Sequence, residues 1–228
     1  MLKFITYNVW FGAYEKIRIN EICNIILQKS PDFICLQEVT ENMLNNIKSK
    51  LNNYHLSRNI ITNYDTLILS KTPIESINTI QFENSKMNRN IHYIKTTIND
   101  RLVTVVTTHL ESDFSKESVK YSQLSNIFNK FENQVNVFIM GDTNIIEDIS
   151  PQKYNDAWKN DGGLLNKMYT FDFLLNNNVI GDYRSRLDRV FYSKDYKCQH
   201  FELIGMDNNF NCGNLPPSDH FGIYTCFQ

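Results

Sequence analysis

The chain has 228 residues, 42% of them hydrophobic and 21% charged, with a formal net charge of −2. That composition excludes a disordered chain and allows one large domain with a sizeable core. The near-neutral balance excludes a protein that grips long duplex through many phosphates, so any nucleic-acid contact should be short and local. The five cysteines, at 23, 35, 198, 212 and 226, show no CxxC or Cys/His zinc spacing. With no secretory signal they read as reduced thiols, which predicts an intracellular protein of nucleus or cytoplasm. No run approaches the ~18 apolar residues of a membrane span, and no membrane association is expected.

LKFITYNV (2–9) alternates and is rich in β-formers, so it reads as a strand. EKIRINEICNIILQ (15–28) places Ile17, Ile22, Ile25 and Ile26 near one helical face. DFICLQEV (32–39) is a short apolar run, as expected of a strand buried on both faces. Strand–helix–strand of this length predicts a right-handed parallel crossover. A second helix follows over 41–51. The segments 65–70, 74–82, 90–98 and 102–110 are then short β-like runs, the last two joined by an Asn99-Asp100 turn. SKESVKYSQLSNIFNKFEN (115–133) is an amphipathic helix with Ser115 as its cap. Strands are expected again at 136–140, 186–193, 200–206 and 220–227, with a loop-rich stretch over 141–186. No repeat, linker or low-complexity break divides the chain. These elements predict a single domain over 1–228, with two packed, largely antiparallel sheets and helices outside.

Many of these strands end in polar residues: Asn8, Glu38, His109 with Ser112, Asp142 with Asn144, Asp188, and Asp219 with His220. Any one of them alone reads as a solvated strand end. Together they can converge on one sheet edge, where ligands commonly sit. Glu38 and Asp219 are hard oxygen ligands that suit Mg²⁺ or Mn²⁺ better than zinc. Asp142, following a glycine, can orient or deprotonate a water. His109, His220 and Asn144 can stabilise charge growing on phosphoryl oxygens. Asp188 can hold a histidine in one tautomer and keep it protonated. The set predicts metal-assisted hydrolysis of a phosphate ester.

The ordered string TYN, LQE, THLES, GDTN, LDR and SDH resembles the endonuclease/exonuclease/phosphatase superfamily, from residue 4 to residue 227. Its members are Mg²⁺-dependent phosphoesterases built as a four-layer α/β/β/α sandwich, and the resemblance implies both for this chain. It also implies Glu38 as the main metal ligand with Asp219 assisting, Asn8 positioning metal or phosphate, and Asp142 on the water. Asn144 and His109 would bind phosphate, and Asp188 would pair with His220. HLES (109–112), GDTN, KMNRN (86–90), NYDTLIL (63–69), YTFD (169–172) and CGNLPPSDHFGI (212–223) further resemble the branch that cleaves 5′-phosphotyrosyl bonds to DNA. This makes Arg89, Ser112, Tyr64 and Phe171 substrate contacts, Phe171 by base stacking. The implied partner is a DNA 5′ end carrying a tyrosyl adduct, as a stalled type II topoisomerase leaves, engaged over a short single-stranded segment by a monomer. Other activities of the superfamily are the alternative: abasic-site or general nuclease, RNA deadenylase, lipid or inositol phosphodiesterase, or release of tyrosine-linked protein from RNA.

Three departures bear on that reading. Ile146 stands where the branch has an arginine that contacts the DNA backbone, and 154–182 follows the pattern only loosely. The strand beginning at residue 2 implies a catalytic domain without the branch's N-terminal ubiquitin-binding region. Arg184, Arg186 and Arg189 form a basic cluster that can face a nucleic-acid groove.

Overall fold

The computed structural model describes residues 1–113, 116–207, 213 and 215–228. The helix cap expected at Ser115 lies outside them, as do Cys212 and Asn214 of the closing segment. One sheet holds β1 (Leu2–Asn8), β2 (Phe33–Thr40), β3 (His55–Leu56), β4 (Tyr64–Ser70), β13 (Cys198–Ile204) and β14 (Gly222–Phe227), in the order β13-β14-β1-β2-β4-β3. The second holds β5 (Ser76–Gln81), β6 (Asn90–Ile98), β7 (Arg101–His109), β8 (Val137–Asp142), β9 (Tyr154–Asp156) and β12 (Asp188–Ser193), in the order β5-β6-β7-β8-β12-β9. Each of these sheets has one parallel pair and is otherwise antiparallel, and β10 (Phe171–Asp172) pairs separately with β11 (Arg184–Ser185). Helix α1 (Glu15–Lys29) bridges β1 to β2, and α3 (Glu117–Phe131) bridges β7 to β8. Helix α2 (Glu41–Lys50) starts where Thr40 Oγ1 accepts from Met43 N at 3.3 Å. Asn99 and Asp100 both have positive φ, so the β6–β7 turn is of the primed type that matches strand twist.

Three apolar clusters define the layers. Ile19, Ile22, Cys23 and Ile26 of α1 pack with Met43, Leu44 and Ile47 of α2 against Ile5, Tyr7, Ile34 and Leu36. Phe4, Phe33 and Cys35 meet Val103, Val105, Phe138, Met140, Val190 and Tyr192 between the sheets. Leu124, Ile127 and Phe131 of α3 cover Val106, Val137, Ile139 and Phe191. Helix, sheet, sheet and helix therefore stack as four layers, as expected. The buried face of α1 is offset from the expected one, because Ile17 is exposed and Ile19 takes the inward position.

The inter-sheet face carries the site. With a side-chain period of two, the stripe Phe4-Thr6 ends at Asn8, Val105-Thr107 at His109, Phe138-Met140 at Asp142, and Tyr192-Val190 at Asp188. Strand register sets His109 beside Asp142 and Asp142 beside Asp188, on three adjacent strands. The sheet core thus changes from apolar to polar at one end.

Candidate active site

Glu38 reaches this end by a detour. Alternation from Ile34 and Leu36 would send it outward, toward the helices. A register shift between Leu36 and Val39 adds a residue, and Glu38 takes φ +61°. This bulge turns its carboxylate inward, at the cost of about 1–3 kcal/mol for a non-glycine residue held in the left-handed region. Glu38 Oε1 accepts from Asn8 Nδ2 at 3.2 Å, and Oε2 from Phe11 N at 3.2 Å. Asn8 Nδ2 also donates to Asp142 Oδ2 at 3.0 Å, while its Oδ1 accepts from Trp10 N at 3.0 Å. Asn8 is therefore spent on tying the acid of one sheet to the acid of the other.

Gly141 explains the GDTN turn. Its φ is +142°, and a Cβ there would lie 2.1 Å from Thr108 O, so only glycine lets β7 and β8 approach. Asp142 Oδ1 accepts from Asn144 N at 2.9 Å. Its Oδ2 faces His109 Nε2 at 3.4 Å and His220 Nε2 at 3.8 Å. Asn144 Nδ2 donates to Leu110 O at 3.2 Å, which leaves one amide hydrogen for a ligand.

The two histidines differ in charge. Burial and the adjacent Arg89 push His109 down to about 3, so it is neutral at pH 7. Arg89 Nη1 lies 2.9 Å from His109 Nδ1. A guanidinium only donates, so Nδ1 is the acceptor and the proton sits on Nε2, facing Asp142. Burial alone would lower His220 as well, but Asp188, Asp142 and Asp219 raise it well above 6.5. Its Nδ1 donates to Asp188 Oδ2 at 2.7 Å, and Asp188 N donates to Thr170 Oγ1 at 3.0 Å. His220 is thus an imidazolium fixed in orientation.

Asp142, Asp188 and His220 also form a buried group compact enough for a metal ion. A protonated imidazole has no lone pair to give, so this trio suits a proton rather than a cation. Glu38 and Asp219 fit the cation better. Both are half-buried, and both carboxyls are raised: Glu38 by burial and the charge of Asp219, Asp219 by burial and the charge of Asp142. The charge of His220 partly offsets this at both, with smaller help from Asn8 and the Phe11 amide at Glu38 and from Arg18 at Asp219. Hard, mutually repelling, half-buried carboxylates are what Mg²⁺ or Mn²⁺ would relieve.

The expected substrate contacts divide. Arg89 is buried, with its guanidinium 5.6 Å from the Tyr64 ring centroid. Tyr64, Arg89 and His109 line one small polar pocket. Glu111 props the segment that carries Arg89: Oε2 accepts from Ser85 Oγ at 2.8 Å, Oε1 from Lys86 N at 3.1 Å, and Ser85 Oγ in turn accepts from Arg89 N at 2.9 Å. Ser112 Oγ points at Met87 Sδ, 3.4 Å away, on that same segment. Phe171 is only 9% exposed; it stacks on Tyr183 with ring centroids 5.1 Å apart and sets its edge against His220 at 5.2 Å. Ile146 is exposed on the loop after Asn144.

The basic cluster is not a groove surface. Arg186, 4% exposed, donates from Nη1 to both carboxylate oxygens of Asp156, at 2.7 and 2.9 Å, and from Nη2 to Asp148 Oδ1 at 3.2 Å. Arg189 is buried, and its Nη2 holds Ile145 O and Glu147 O. Buried acids and carbonyls claimed both, and only Arg184 remains partly exposed, against Asp172. Sequence reasoning also missed Phe11, which is 47% exposed and stacks on Tyr64 at 4.6 Å, and Arg18, whose partners are main-chain carbonyls. A β1–α1 loop rich in aromatics was the only available signal for Phe11.

Residues 5–220 match the Endonuclease/Exonuclease/phosphatase family. The chain is 28% identical to mouse tyrosyl-DNA phosphodiesterase 2 over 241 residues, 97% of this chain and 65% of that protein. It is 28% identical to the 5′-tyrosyl-DNA phosphodiesterase of Caenorhabditis briggsae, covering 95% of this chain and 66% of the relative. It therefore spans about two thirds of the length of these relatives. A crystal structure of Danio rerio tyrosyl-DNA phosphodiesterase 2 with single-strand DNA product superposes with a TM-score of 0.92 at 26% identity, over 100% of this chain and 98% of that one. A truncated Caenorhabditis elegans tyrosyl-DNA phosphodiesterase 2 gives 0.90 at 28%, over 99% and 96%. Among the described residues no helix is long and apolar enough to cross a membrane. The family match over nearly the full chain, on a four-layer sandwich whose inter-sheet stripes end in these acids and histidines, makes the chain a member of the Endonuclease/Exonuclease/phosphatase family.

Proposed function

We propose that this chain is a Mg²⁺-dependent phosphodiesterase that hydrolyses the 5′-phosphotyrosyl bond between a protein tyrosine and a DNA end, leaving a 5′-phosphate. The observation that carries the reading is a division of labour. Asp142 faces a neutral histidine at 3.4 Å and a protonated one at 3.8 Å, while Glu38, 3.9 Å from His109 Nε2, and Asp219 form a carboxylate pair left with raised carboxyls. Likeness to relatives named for this activity, and to one solved with single-strand DNA product, supports the choice of substrate.

Glu38 and Asp219 would hold the metal, with Mn²⁺ as a substitute. When bound, Mg²⁺ supplies Lewis-acid polarisation of a phosphoryl oxygen. Asp142 orients the attacking water and takes its proton. The His220 imidazolium, kept charged by Asp188, and the Nε2–H of His109 meet the negative charge that builds on the phosphoryl oxygens. Arg89 and Asn144 add donors beside them. A phenol, with pKa about 10, leaves far more readily than an alkoxide and needs no strong general acid. Tyr183, backed by the buried Phe171, and Phe11, stacked on Tyr64, offer rings to the flat parts of such a substrate, base and phenol, so the stacking expected of Phe171 passes to its neighbour. The net charge of −2 suits a grip on a few nucleotides of one end.

The test is hydrolysis of a 5′-phosphotyrosyl oligonucleotide in Mg²⁺ by wild type and by Asp142→Asn. The variant should lose roughly 10²–10⁴-fold in kcat. Equal rates would overturn the assignment, and so would no cleavage alongside robust cutting of abasic DNA.

A further inference from the structure

We infer that Arg18 is a positioning residue for the metal-binding carboxylates, acting as a clamp between the two chain segments that carry them. Arg18 is 3% exposed, and its guanidinium lies 4.5 Å from the Trp10 ring centroid. Its Nε donates to Ala13 O at 2.6 Å. Nη1 donates to Val9 O at 2.8 Å and Pro217 O at 3.1 Å, and Nη2 to Trp10 O at 2.6 Å and Gly12 O at 2.9 Å. A guanidinium has five N–H donors, and the five carbonyls here match that number.

Those carbonyls belong to both halves of the metal site. Val9, Trp10, Gly12 and Ala13 form the β1–α1 loop, whose Phe11 amide holds Glu38 Oε2. Pro217 precedes Ser218 and Asp219. Ser218 Oγ closes the same junction by donating to Asn8 O at 2.7 Å. The loop could not set itself. Trp10 has φ +55°, and a Cβ on Gly12 would lie 2.2 Å from the Trp10 ring, so the turn is tight and strained. A buried fork that collects its carbonyls fixes the loop, and one further bond, to Pro217 O, fixes the spacing to Asp219. Lysine has the charge but only three donors in no fixed plane. The clamp governs how well Glu38 and Asp219 are spaced for a small cation that demands near-ideal geometry.

This inference rests on the proposed metal site, and calorimetry without substrate separates the two. Wild type and Arg18→Lys are titrated with Mg²⁺ and with Mn²⁺, and each is melted in chelator. The expected result is a Mg²⁺ affinity weaker by about 10–100-fold in the variant. Its Tm in chelator should fall as well, because buried carbonyls lose their donors, so the discriminating readout is the Mg²⁺ affinity; Mn²⁺, which tolerates a looser shell, should lose less. If Arg18→Lys does not fold, Ser218→Ala, which cuts the neighbouring tie, takes the same measurement with the same direction expected. A folded variant with lowered Tm and unchanged Mg²⁺ affinity would make Arg18 a brace of the fold alone and overturn the inference. Wild type without Mg²⁺ binding would contradict the metal site itself. Wild type that binds Mg²⁺ but spares phosphotyrosyl substrate would leave the clamp standing.

Discussion

The two sheets bring acids to the same cleft in different states. At the second sheet, Asp142 and Asp188 sit side by side and are buried, yet Asn8, His109 and His220 surround them. At the first sheet, Glu38 and the nearby Asp219 are more open and their carboxyls are raised. The His220 charge, Asn8, the Phe11 amide and Arg18 only partly compensate them. Acids that are already neutralised suit proton and water handling, because a cation would have to displace their partners. Acids in electrostatic deficit suit a cation. The fold makes this difference with two devices: plain strand alternation on the second sheet, and a strained bulge on the first.

The largest expected effect on stability lies at the second sheet. Gly141→Ala should cost about 2–5 kcal/mol, since its Cβ would collide with Thr108 O at a φ that disfavours side chains. Denaturant unfolding measures it, and a loss below about 1 kcal/mol would show that the β7–β8 contact yields more easily than the geometry implies.

A smaller effect comes from histidines buried neutral on that sheet. His92, held by Thr79 and Ser57, is lowered to about 3 by burial and Arg58, and His109 is lowered to about 3 by burial and Arg89. Their folded pKa lies below the unfolded 6.5, so the unfolded chain takes the proton first. Their stabilisation is complete above about pH 6.5 and is lost as pH falls from there toward 3. Each should cost roughly 2 kcal/mol by pH 5. Unfolding at pH 7 and pH 5 checks this, and His92→Gln should remove about half of the slope; an unchanged slope would sink the assignment.

The smallest effect has the opposite sign. Glu38→Gly relieves a left-handed residue and removes one of two repelling acids, so the apo protein should gain about 1 kcal/mol while losing Mg²⁺ binding. A destabilised variant would mean that the bulge is held by Glu38 rather than strained by it.

The second sheet's half of the site was the more legible from sequence. His109, Asp142 and Asp188, like Asn8 on β1 of the first sheet, follow their apolar stripes at a spacing of two, so the pattern that identifies each strand also says which face its last residue uses. Glu38 was found as a motif, but alternation alone would have faced it outward, since nothing in FICLQEVT announces a bulge. The arginines misled for one reason: a charged residue does not reveal in sequence whether its partner is a phosphate, a buried acid or a carbonyl. Arg186 and Arg189 stand in a pattern that allows them to face a nucleic-acid groove, yet both are buried, and nothing in the sequence marks Arg18, because carbonyl partners leave no trace there.

The contrast between the sheets is tested most directly by Mg²⁺ calorimetry on three proteins: wild type, Glu38→Gln and Asp142→Asn. Binding should be retained by wild type and Asp142→Asn and lost in Glu38→Gln. Loss in Asp142→Asn with retention in Glu38→Gln would place the cation in the Asp142–Asp188–His220 group and contradict the division of the site proposed here.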